Sequence, residues 1–174
     1  MDKRIIVTVV CSTLGLINAS GSALAETVGR YDCNIIGTVN QEPIGDRDGH
    51  RLTSAQYSCS GVEGLLKGGL YTSSSTSEWD GSQGTYFAGG GIVRVPGGLA
   101  VTQLTEGVGS AIMKDGKPAG NEASGKALIK FASGTLAELS GKALKWEAKP
   151  AGFNRFSLEF TADTEPGTIG KSKQ

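Results

Sequence analysis

Lys142-Ala143-Leu144-Lys145-Trp146-Glu147-Ala148-Lys149-Pro150-Ala151-Gly152-Phe153-Asn154-Arg155-Phe156-Ser157-Leu158-Glu159-Phe160-Thr161 is the stretch that decides the fold class. Leu144 and Trp146 alternate with Lys145 and Glu147; further on, Phe156, Leu158 and Phe160 alternate with Ser157, Glu159 and Thr161. Successive side chains of a strand leave its opposite faces, so a period of two marks two half-buried antiparallel strands. They are read over 142–148 and 153–161, with Lys149-Pro150-Ala151-Gly152 as the turn. Trp146 is then predicted to be buried, opposite Phe156 or Leu158.

Runs of the same character precede this hairpin at 31–39, 55–62, 65–72, 85–95, 99–105, 108–113 and 126–132, which makes nine. No stretch after residue 25 carries a long apolar stripe of period 3.6, so the elements are strands. Asp115-Gly116, Pro96-Gly97-Gly98 and the Ser/Thr run 72–77 read as breakers, through positive φ or local side-chain hydrogen bonding. Glycine supplies 27 of 174 residues, and much of it falls inside strand-like segments such as 81–91. Bulges and bends explain glycine there, and a sheet that coils needs such points. The expectation is all-β and antiparallel, a meander closed into a barrel of about eight strands, with a two-sheet β-sandwich as the alternative.

Asp2, Lys3 and Arg4 precede an apolar run from Ile5 to Ile17, and small residues end at Ala23-Leu24-Ala25. That is the pattern of a secretory signal peptide, 1–25, cut after Ala25 so that the exported chain starts at Glu26. The run is too short for the roughly 20 residues that span a bilayer, and Val10 before Cys11 lacks the small side chain of a lipoprotein signal. Seventeen charges of each sign, less Lys3, Arg4 and Asp2, leave 15 basic and 16 acidic side chains on a chain of about 150 residues. This balance offers no electrostatic case for nucleic acid or for an anionic membrane. The reading is one exported domain over 26–162, periplasmic or secreted, with a polar tail over 163–174 and no later membrane span.

Cys33 and Cys59 are the two thiols left after cleavage, and an oxidising compartment lets them pair. The spacing is not Cys-x-x-Cys, so the bond is read as a staple rather than a redox centre.

Glu122-Ala123-Ser124-Gly125-Lys126-Ala127-Leu128 returns as Glu138-Leu139-Ser140-Gly141-Lys142-Ala143-Leu144, read as two neighbouring strands entered through similar Ser-Gly turns. The second copy belongs to Phe131-Ala132-Ser133-Gly134-Thr135-Leu136-Ala137-Glu138-Leu139-Ser140-Gly141-Lys142-Ala143. This segment resembles the Gly-Thr-Gly region of the dirigent and allene oxide cyclase barrels and their bacterial relatives, with Leu136 in place of the second glycine. The resemblance implies an eight-stranded antiparallel barrel with an apolar lumen, trimer formation, and a role in steering reactions of small hydrophobic molecules. No functional acid or arginine of those families is matched position by position here, so none is carried over.

His50 is the one histidine, no Gly-x-Ser-x-Gly elbow exists, and a zinc site of several histidines is impossible. Gly170-Lys171-Ser172 has Glu165 where a phosphate loop requires glycine, and Gly89-Gly90-Gly91 lacks a dinucleotide fingerprint. Asp46, Asp48 and His50 would share a face if extended and could bind a divalent metal; Gly45 and Gly49 favour a solvated turn. Glu78-Trp79-Asp80 reads as a surface turn anchored by one tryptophan, or as a sugar-binding rim. No cofactor is predicted. The lumen candidates are Tyr57, Tyr71, Phe87, Phe131, Leu144, Trp146, Phe156, Leu158 and Phe160, residues that core packing alone would also bury. Three functions stay open: a binding barrel for a small apolar ligand, an isomerase or cyclase, and a structural envelope or interaction protein.

Overall fold

The computed structural model describes residues 27–163; the expected signal segment, its cleavage site and the tail beyond Asp163 lie outside them. Eight strands follow in order: β1 (Thr27–Pro43), β2 (His50–Gly64), β3 (Leu70–Asp80), β4 (Gln83–Val95), β5 (Gly98–Lys114), β6 (Lys117–Gly134), β7 (Ala143–Gly152) and β8 (Arg155–Ala162), with one 3₁₀ turn at Ala137–Leu139. Each pairs antiparallel with the next, and β8 returns to β1, with Tyr31 opposite Leu158 and Cys33 opposite Phe156. The sheet is a closed up-and-down barrel, and closure removes the edges an open sheet would expose. The sandwich alternative is excluded.

Bulges explain where simple alternation misleads. Segments 99–105 and 108–113 are one strand, β5, whose pairing with β6 shifts between Leu104 and Glu106. The Ser/Thr run 72–77, expected to break a strand, lies inside β3. Lys149-Pro150-Ala151-Gly152 belongs to β7, and the turn falls at Phe153-Asn154, where Asn154 takes φ 54°. Trp146 consequently faces Phe160 rather than Phe156 or Leu158. The two echoed segments do not lie on neighbouring strands: the first is wholly in β6, with Ser124-Gly125 mid-strand and Gly125 opposite Trp146, whereas the second occupies the β6–β7 connection and reaches β7 only at Ala143-Leu144.

Leu66, Leu136 and Leu139, from the β2–β3 and β6–β7 connections, are buried with Val28, Tyr31, Val93, Ala100, Ile129 and Leu144 and plug one end of the barrel. Gly134 permits this turn: its φ is +60°, and a Cβ there would stand 1.8 Å from the Gly97 carbonyl oxygen, a backbone clash no rotamer relieves. Leu136, where the resembling families have glycine, is thus part of the plug. Cys33 and Cys59 are directly opposed on β1 and β2, both 1% exposed, and form the disulfide.

Candidate functional site: a cup at the open end

The opposite end carries the β1–β2, β3–β4, β5–β6 and β7–β8 connections, and there the lumen is open. Residues Tyr71, Ser73, Ser75, Ser77 and Trp79 alternate along β3, and Tyr71, Ser75, Ser77 and Trp79 line the cavity. The serines that resemble a loop in sequence are therefore the small side chains of a wall. Gly89, Gly90 and Gly91 of β4 pair with Ser75, Ser74 and Ser73, so two adjacent strands contribute little bulk here. A cup of about 280 Å³ results, running from Tyr71, Ala127 and Phe160 to Val39, Asn121, Asn154 and Arg155. Arg155 is the one charged side chain among its lining residues.

Glycine has a second use at the rings. A Cβ at Gly84 would lie 2.6 Å from the Trp79 indole; one at Gly107 would lie 2.8 Å from both Trp146 and Tyr86; one at Gly109 would crowd Tyr86 and Trp79. These glycines are seats for a run of edge-to-face rings, with Trp79 and Tyr86 centroids 6.5 Å apart and Tyr86 and Trp146 5.8 Å apart. The indoles are fixed by their N–H groups. Trp79 Nε1 donates to Ser77 Oγ at 2.9 Å, and Trp146 Nε1 donates to the carbonyls of Glu106 and Lys126, each at 3.3 Å.

Four hydroxyls at the floor are paired, whereas the buried Thr53 Oγ1 of the lining and the Tyr31 hydroxyl beside Tyr71 have no protein partner among the described residues. Ser73 Oγ lies 2.8 Å from the Gly90 carbonyl and 3.0 Å from the Tyr57 hydroxyl; its single proton goes to the carbonyl, which makes Tyr57 the donor in the second contact. Tyr71 and Thr102 hydroxyls are 2.9 Å apart. Burial pushes the phenols of Tyr57, Tyr71 and Tyr86 upward, so all three keep their protons at neutral pH.

Of the residues proposed for the lumen, Tyr57, Tyr71, Trp146, Phe156, Leu158 and Phe160 line the cup. Leu144 is buried at 1% exposure in the core but does not line it. Phe87 and Phe131 are 57% and 52% exposed and are not lumen residues. The strand pairing slips beside each of them, between Thr76 and Ser77 and between Val101 and Thr102, so alternation counted straight through assigns the wrong face. Trp79, expected at the surface, is 2% exposed. Extending the alternation from Tyr71 through the serines to Trp79 would have found it.

Asp46, Asp48 and His50 do not form a metal site, and no group of three or more ligating side chains able to hold a metal occurs among the described residues. Nor is His50 in a solvated turn. It is 7% exposed, with Nδ1 2.5 Å from Asp46 and Nε2 2.6 Å from Glu78. Two carboxylate neighbours require both ring nitrogens to donate, so they favour imidazolium and raise its pKa, Asp46 contributing most. Arg47 adds a fork to Asp80 at 2.8 and 3.0 Å, and Arg51 lies over the Trp79 ring while donating to the Gly49 and Gly81 carbonyls. These contacts latch the β1–β2 loop to the β3–β4 turn above Trp79.

The sign of the pH effect follows. A raised histidine pKa contributes stability that is complete below the unfolded value, about 6.5, and is lost as pH rises through the folded value. The His50 ring resonances should titrate above pH 6.5, and amide protection across 44–50, taken relative to the intrinsic base-catalysed rate, should fall over that same interval. Titration at or below 6.5 would contradict the latch.

Comparison of the chain with protein-family models, with curated proteins and with solved structures finds no match in any of the three.

Proposed function

We propose that this is an exported binding protein that holds one small apolar ligand in the cup. The observation that carries the reading is the cup itself: a cavity near the lower end of the size range of small-molecule sites, walled by aromatic rings on glycine seats and left open by serines where a filled core would place large side chains. Binding is favoured over acid–base catalysis because the lining offers no carboxylate or histidine, and its buried phenols hold their protons. Export is supported by the signal-like segment 1–25 and by the disulfide, a bond that persists in oxidising compartments. Distant kinship to the dirigent and allene oxide cyclase barrels is part of the proposal; the eight-stranded closed barrel agrees with it.

Both tryptophans line the cup, so both should report occupancy. A panel of terpenoid, aromatic and fatty compounds should include at least one that changes tryptophan emission saturably. Ser75→Leu, which places a large side chain in the open wall opposite Ala55 and Gly89, should weaken that response about tenfold or more, as expected of overpacking. A flat response across the panel, or an unaltered affinity in Ser75→Leu, would reject the ligand reading.

A further inference from the structure

The two halves of the open rim differ in how their charges are paired. Around the β1–β2 loop and β3–β4 turn, Asp46, Arg47, His50, Glu78 and Asp80 are tied to one another, and Ile44 in the same loop is about half exposed. The other half consists of the β5–β6 turn and the β7–β8 hairpin, brought together where Gly120 meets Pro150; a Cβ at Gly120 would lie 2.8 Å from the proline ring. Here Met113 is 54% exposed and Phe153, at the hairpin tip, is 92% exposed. Lys114, Lys117 and Arg155 flank them, against one acidic residue, Asp115, and none of the three cations takes part in an ion pair among the described residues. A chain balanced in total charge thus places unpaired positive charge beside Phe153, the most exposed large apolar side chain among the described residues.

We infer that this half-rim docks on the surface of an anionic lipid bilayer. An exposed phenylalanine at a tight turn beside lysines and an arginine has the composition of an interfacial anchor: the ring enters the acyl boundary, and the cations meet lipid phosphates. A soluble acidic protein would answer the charges but would leave no reason for the fully projecting ring. Asn154 and Arg155, the next two residues after Phe153, line the cup, so docking sets the cavity mouth against the lipid. If the cup holds an apolar ligand, the bilayer is then where the ligand is exchanged; docking itself does not depend on that reading.

Flotation of the purified chain, without added ligand, with vesicles of phosphatidylcholine alone and of phosphatidylcholine mixed with phosphatidylglycerol tests the inference. Binding is expected to the mixed vesicles, to weaken with added salt, and to fall on the order of tenfold or more in Lys114→Gln/Lys117→Gln. Phe153→Ser should also lose binding, whereas Lys67→Gln/Lys142→Gln, at the plugged end, should not. Phe153→Trp, at a site with no packing to disturb, should shift its emission to the blue on the mixed vesicles. Equal binding to neutral and anionic vesicles, binding to neither, or unimpaired binding by the half-rim variants would overturn the proposal, and none of these outcomes bears on ligand binding in solution.

Discussion

Replacing Trp146 by alanine is expected to lower stability by about 3 to 5 kcal/mol, the usual cost of removing a buried tryptophan. Trp146 is 7% exposed, its ring meets Tyr86 edge-on, and its indole N–H serves two carbonyls beside the β5 bulge. Gly107 and Gly125, which face the ring, have no side chains with which to fill the space it leaves. Such a loss is a large share of the roughly 5 to 15 kcal/mol that holds a domain folded. Trp146→Phe keeps a ring on the glycine seat and should cost clearly less. Urea unfolding of both variants checks the prediction, and a loss below about 1 kcal/mol for alanine would show that Trp146 does not organise this wall.

Opening the disulfide should cost about 3 to 4 kcal/mol. Cys33 and Cys59 are separated by 26 residues, and chain entropy gives roughly that value for a loop of this length. Cys33→Ser and Cys59→Ser should lose similar amounts, because either change opens the same loop and both sulfur positions are equally buried. Reductant should bring the wild-type melt close to those of the variants and leave the variants unmoved. Strongly unequal losses would assign one cysteine a separate packing role, and two alkylatable thiols in the oxidised protein would reject the bond.

The strands were legible because period-two alternation is a local property, and the last hairpin shows it over both of its arms. Legibility stopped at the bulges. Phe87 and Phe131 follow the same alternation as Tyr57 and Phe156, yet a slip of one pairing position turns each outward. The serines of β3 failed in the opposite direction: their hydroxyls suggest a loop, since serine competes locally for backbone hydrogen bonds, and only the paired neighbours β2 and β4 make them a wall. Bends account for some of the glycines; Gly84, Gly107 and Gly109 serve a partner ring elsewhere in the chain, which composition cannot reveal.

By itself the sequence determined that the domain is antiparallel β, that Cys33 and Cys59 pair and that Trp146 is buried, because each depends on residue type and on a two-residue period; which six of the nine lumen candidates line the cup was the structure's to decide. Tertiary structure alone decided which face of each strand is inside beyond a bulge, that Trp79 rests on Gly84 and Gly109, that His50 bonds Glu78 from the next strand, and that the rim splits into a matched and an unmatched half. The physical reason is the same in each case: alternation says that neighbouring side chains part company, whereas ring closure and register, set by pairings many residues apart, say where they go.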